Sequence, residues 1–192
     1  MSRILLNFGL FQAGWFACVL GAAWNFPWLG PVVVVMAVAV HLALASSALR
    51  EAQLIGACAL LGLLFDTALL QTGWVSYPNG FWLNGLAPYW MVALWVLFAT
   101  TLNVSLRWLR HRFWLAGLLG AIGGPASYLA GQGLGGMTLI QPVPALTALA
   151  IGWGLVMPAL FRIAQRLDGC ATHAGPEYIH DSWRKQEIGN HG

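Results

Sequence analysis

From its first residues to about residue 163, the chain alternates long apolar runs with short polar or turn-forming stretches. A helix needs about 20 mostly apolar residues to cross a hydrocarbon core about 30 Å thick. That rule finds six such runs: Ile4–Ala23, Leu29–Ser46, Gln53–Gly73, Ala87–Leu106, Phe113–Gly131 and Leu139–Ile163. The pattern predicts an all-α polytopic membrane protein, a bundle of six transmembrane helices over residues 1–166, with a polar tail over 167–192. The first run contains Asn7 and Gln12 and has no small-x-small cleavage site before a polar region. It therefore reads as a retained helix rather than a secretory leader.

Positive charge tests this reading. The 9 lysines and arginines are Arg3, Arg50, Arg107, Arg110, Arg112, Arg162, Arg166, Arg184 and Lys185, and six spans put all of them on one face. Basic loops stay on the cytoplasmic side, so both termini are expected there. The opposite face is aromatic, with Trp24, Phe26, Trp28, Trp74, Tyr77, Phe81, Trp82, Tyr89 and Trp90. These read as an interfacial belt. Alternatively the longer loop, VSYPNGFWLNGLAP, lies on the membrane as a lid over a cavity, turning at Pro78–Asn79–Gly80.

Composition narrows the class. The chain is 59% hydrophobic and 8% charged, whereas a soluble domain carries about 25% charged residues. The basic residues are too few and scattered for nucleic acid. Cys18, Cys58 and Cys170 make no CxxC framework. No bound metal and no cofactor is expected. GxSxG, HExxH and Walker motifs are absent, and the GGPASY stretch around Ser127 has no positioned base. Whether the protein is an enzyme stays open.

Candidate chemistry therefore rests on polar groups at membrane depth. Asp66 lies about 13 residues into the third run, in the outer half at 1.5 Å per residue. A carboxyl there costs about 2.5–3.5 kcal/mol on insertion scales, so it should face the protein interior and have a partner. Its role is either functional or that of a structural hydrogen-bonding group. Gln12, Trp15, Trp90, Trp95 and Asn103 are the other candidate ligand contacts, with Trp90 and Trp95 lining an outer cavity near Asp66. Asn7, His41, Thr100 and Tyr128 are candidate polar partners. His41 is without a second membrane histidine, so a satisfied core imidazole is preferred to a haem ligand. In the fifth run the step from Gly120 to Gly124 presents a small surface for close helix approach. Pro125, Pro142, Pro144 and Pro158 should kink or delimit the last two helices.

The stretches NFGLFQAGWFACVLGAA (7–23), LLGLLFD (60–66), APYWMVALWVLFATTLNVSLRWL (87–109) and GAIGGPASYLAG (120–131) resemble the bacterial family DUF2878, whose function is unknown. The resemblance covers about residues 5–165. It implies a small inner-membrane protein of Gram-negative bacteria, encoded near enzymes of the cyclopropane-fatty-acid-synthase type, and it supplies no catalytic residues. Three functions are expected in order. The first is binding or transport of an amphipathic small molecule or lipid around Asp66. The second is a membrane enzyme of fatty-acid or phospholipid modification, or an accessory to one. The third is a scaffold for cytosolic lipid-modifying enzymes. Membrane lipids are the general partner.

Overall fold

A computed structural model describes residues 2–170. Its six helices are α1 (Ser2–Ala23), α2 (Leu29–Ala43), α3 (Ala48–Gln71), α4 (Tyr89–Leu102), α5 (Phe113–Gly133) and α6 (Pro142–Arg166). Four of them, α1, α3, α5 and α6, are long and apolar enough to cross a membrane. The other two are shorter than their apolar runs, 15 residues in α2 and 14 in α4. Pro88 sets the start of α4, and the backbone turns at Asn103 into a single 3-10 turn at Arg107–Leu109.

The shortness of α4 follows from its position. It packs against α1, α2 and α3, and buries Trp90, Trp95, Leu97, Ala99, Thr100 and Leu102. An enclosed helix need not match the bilayer, because protein rather than lipid covers the irregular backbone at its ends. α5 and α6 form a second pair beside this group. Their close approach is built by the expected glycine step. A Cβ on Gly120 would lie 2.4 Å from the Trp153 carbonyl oxygen, and one on Gly124 2.4 Å from the Trp153 ring. Pro142 and Pro144 fall in the first turn of α6, whereas Pro125 and Pro158 lie inside helices that continue through them.

Contacts tie each end of the bundle together. At one end, Arg3 Nη2 donates to Cys170 Sγ (3.2 Å), Ser47 N to the Gly169 carbonyl (2.9 Å) and Arg110 Nη2 to the Ala164 carbonyl (3.2 Å). At the other, Asn79 Nδ2 donates to the Ala22 carbonyl (2.8 Å) and Ile140 N to the Trp74 carbonyl (2.8 Å). There β1 (Val75–Ser76) pairs antiparallel with β2 (Thr138–Leu139), Val75 opposite Leu139. Gly80, at φ +86°, turns the chain in a left-handed conformation that only glycine adopts freely.

The outer surface is apolar along the helices: Leu5, Val35, Leu60, Leu64, Ile122 and Leu155 are exposed. A face of this kind suits lipid rather than water. Of the aromatic belt, Trp24, Phe26, Trp28 and Trp82 are exposed, while Tyr77 and Trp90 are core residues. Leu167–Cys170, the start of the expected polar tail, folds back on the bundle, and residues 171–192 lie outside the described residues.

Candidate functional site

A cavity of about 420 Å³ lies between α1 and α5, with α4 and α6 forming its floor. One wall is flat and aromatic. Trp95 and Trp153 stack at 4.6 Å with an interplanar angle of 13°, and Phe98 meets the Trp153 ring edge-on at 5.4 Å. Gly120, Gly123 and Gly124 of α5 also line the cavity, and Gly120 and Gly124 lie directly against Trp153, where a Cβ would clash. Gly123 is the open position: a Cβ placed on it meets nothing within 4 Å. Polar atoms are few. Gln12 lines the cavity, Trp15 Nε1 donates to Ser127 Oγ (3.2 Å), and the shielded Trp153 Nε1 has no hydrogen-bond partner.

Asp66 sits behind this cavity rather than in it. It is fully buried, and both its oxygens act as acceptors. Trp95 Nε1 donates to Oδ2 at 2.6 Å, while the Tyr128 hydroxyl and, at 3.4 Å, the Tyr77 hydroxyl donate to Oδ1. Gly62, one helical turn before Asp66, makes this possible. A Cβ there would stand 2.0 Å from the Trp95 ring, so only glycine lets the indole lie across α3 and reach the carboxyl. Trp95 and Tyr128 therefore face two ways, presenting carbon to the cavity and a donor to Asp66. The carboxyl fixes two wall residues that a ligand would touch.

The structure brings Gln12, Trp15, Trp95 and Tyr128 together at the cavity. It separates the other candidates. Trp90 is fully buried beneath the α3–α4 loop, where its Nε1 donates to the Asn79 carbonyl at 3.2 Å. That loop plugs the end of the bundle and contributes none of the cavity-lining residues, unlike the expected lid. Asn7 Nδ2 donates to the Thr100 carbonyl at 3.1 Å, joining α1 to α4.

His41 and Asn103 belong to a second polar cluster at the arginine end, around Glu51. This carboxyl is also fully buried. Glu51 Oε2 lies 2.8 Å from His41 Nε2, and Oε1 accepts from Asn103 Nδ2 (2.8 Å) and Gly169 N (2.7 Å). Asp168 beside it pairs with Arg107 (2.7 Å) and Arg110 (2.8 Å). Burial alone would raise its pKa, but the Arg110 hydrogen bond, the Cys170 amide and the two guanidinium charges hold the carboxyl below its ordinary range. Burial, helped by the Glu51 charge and opposed by Arg3, pushes the Cys170 thiol up to about 12.

Two features escaped the sequence pattern. Glu51 lies outside the Gln53–Gly73 run, next to Arg50, and a charged pair between spans ordinarily marks a solvated turn. Trp153 did carry a signal: indoles favour the interface, so a tryptophan deep inside an apolar run, like Trp95, is turned to protein.

A bundle with four membrane-length apolar helices, a lipid-type surface and buried acids is a helical membrane protein. The chain belongs to the family described as "Protein of unknown function (DUF2878)", which matches residues 4–159. No curated protein and no solved structure matches it.

Proposed function

We propose that this protein is a six-span protein of the bacterial inner membrane, with both termini cytoplasmic, that binds or carries one amphipathic small molecule or lipid in the cavity between α1 and α5. Enclosure of α4 by other helices supports counting it as a span despite its 14 residues. Arg3 and Arg50 lie in the first turns of α1 and α3, and Arg107, Arg110 and Arg112 between α4 and α5, all at the end where α6 finishes, which supports the cytoplasmic assignment of that end.

The observation that carries the reading is the cavity itself. Ligand sites are concave, mainly apolar and furnished with a few placed polar groups. Here the aromatic side chains of Trp95, Phe98 and Trp153 and the glycines of α5 line the cavity together, and Gln12 and Ser127 supply the polar contacts. Among the described residues that line it there is no histidine, cysteine, lysine or acid. That composition favours holding a molecule over transforming it.

Gly123→Leu tests the reading, because it adds bulk at the one cavity-lining glycine whose Cβ meets no neighbour. Wild type purified in mild detergent should carry a defined amphipathic molecule by native mass spectrometry with lipidomics. Gly123→Leu should elute and melt like wild type but lack that molecule. The same molecule on both proteins, or none on wild type, would sink the proposal.

A further inference from the structure

Three residues with metal-ligating atoms at the arginine end come from separate parts of the chain. His41 ends α2, Glu51 lies in the first turn of α3, and Cys170 follows α6. All three are buried, and one ligand atom from each lies within 4.8 Å of the others. A tetrahedral ion with bonds of about 2.0–2.1 Å to nitrogen and oxygen and about 2.3 Å to sulfur needs its donors roughly 3.3–3.6 Å apart. The His41–Glu51 distance of 2.8 Å must open slightly and Cys170 must close in. Side-chain rotation can supply shifts of that size.

The surroundings are those of held ligands. Glu51 Oε1 is fixed by Asn103 Nδ2 and the Gly169 amide, leaving Oε2 toward His41. Asn103 Oδ1 in turn accepts from Arg110. Cys170 is positioned by its neighbours: its amide donates to Asp168 Oδ1 at 3.0 Å, and Asp168 is gripped by Arg107 and Arg110. Gly169 permits this path, since a Cβ there would lie 2.3 Å from the Ser47 carbonyl oxygen. Such outer contacts orient metal ligands and tune their affinity.

A second observation points to a ligand. Beside His41 is a void of about 20 Å³, also bounded by Arg3, Asn7 and Thr100. About 10–15 Å³ suffices for one water. Asn7 is 8% exposed, and its Oδ1 has no hydrogen-bond partner. A metal-bound water in that void would donate to it. Three protein ligands of mixed N, O and S type with a water in the fourth position is a zinc arrangement.

We infer that His41 Nε2, Glu51 Oε2 and Cys170 Sγ form a binding site for Zn2+, with a water beside Asn7 as the fourth ligand. On binding, the Cys170 thiol loses its proton to solvent and the thiolate sulfur bonds the ion, with no change of oxidation state. The ion joins the α2–α3 turn to the chain after α6. This site lies outside the cavity and does not depend on the ligand reading.

The test uses the full chain without a polyhistidine tag, equilibrated with zinc and washed in detergent. Elemental analysis should find one zinc per wild-type chain, and Co2+ in its place should show a thiolate-to-cobalt charge-transfer band. Cys170→Ser should lose the band and lower zinc affinity by about tenfold or more, and Asn103→Ala should weaken it about 10–100-fold through Glu51. Cys170→Ser is small and conservative, and its melting temperature should equal that of zinc-free wild type. Wild type without zinc, or full zinc retention in Cys170→Ser, would overturn the inference.

Discussion

Helix α3 carries two buried acids in two different settings. Glu51 and Asp66 are fifteen positions apart, about 22 Å along the axis, and both are fully buried. Asp66 is met by aromatic side chains alone, two tyrosine hydroxyls and an indole, and two of those rings double as cavity wall. Glu51 is met by an imidazole, an amide side chain and a backbone amide from a chain segment that has returned from α6. The first acid organises a rigid wall. The second fastens separate ends of the chain. A buried carboxyl is thus no single kind of feature, and its donors decide what it does.

The strongest way to break that contrast is to remove Asp66. Asp66→Ala leaves three buried donors without an acceptor, and each such orphan costs about 1–3 kcal/mol. We expect a loss of about 3 kcal/mol or more in reversible unfolding, together with loss of any cavity ligand as Trp95 and Tyr128 become free to turn. Asp66→Asn, which keeps one carbonyl acceptor, should fall between. A stability loss below about 1 kcal/mol would mean that these donors find other partners and that Asp66 does not organise the wall.

Removing Glu51 should cost less and act elsewhere. In Glu51→Gln the amide keeps an acceptor for Asn103 or Gly169 but loses the charge facing His41. The cluster also lies at a bundle end, where Gly169 and Cys170 can lift away and rehydrate. A loss of about 1–3 kcal/mol is expected, with faster alkylation of Cys170 and an unchanged cavity ligand. Loss of that ligand in Glu51→Gln would merge the two clusters into one functional unit.

The contrast also explains what could be read from the sequence. The helical class, the Gly120–Gly124 contact and Asp66 were legible because each is a local departure from an apolar pattern. A single acid inside an apolar run is visible at once. Gln12, Trp15, Trp95 and Tyr128 were legible as protein-facing, but their shared cavity depends on how α1 and α5 splay over α4 and α6. No periodicity encodes that. Trp90 and Trp95 read together as lining an outer cavity near Asp66, yet five residues along a helix turn Trp90 elsewhere, under the Asn79 loop. Glu51 was invisible for the opposite reason to Asp66. Arg50 beside it gives the appearance of a solvated turn, and its partners His41, Asn103 and Gly169 are contributed by long-range folding. The short extents of α2 and α4 were missed because hydropathy measures how apolar a run is, not where its backbone stops.

The smallest expected effect concerns how firmly the returning segment is held, and pH addresses it. Asp168 anchors Leu167–Cys170 through Arg107 and Arg110, and its pKa in the folded protein lies below the ordinary value of 3.8. A carboxyl shifted in that direction contributes its stabilisation in full above its unfolded value and loses it as pH falls through the folded one. The pair is only partly shielded, since Arg107 remains accessible, so the contribution is under about 1 kcal/mol. It should appear as a local loosening rather than global unfolding. Amide exchange at Gly169 and Cys170, corrected for intrinsic rates, should gain speed as pH falls below about 3.8 and on through the folded value, while exchange in α3 around Asp66 should not change in step. In Asp168→Asn that pH dependence should flatten, with the segment already loosened at neutral pH. If exchange at these two amides follows the same pH profile in wild type and Asp168→Asn, then Glu51 alone holds the segment, through its bond from the Gly169 amide. The arginine pair would then be a surface contact without consequence for the fold.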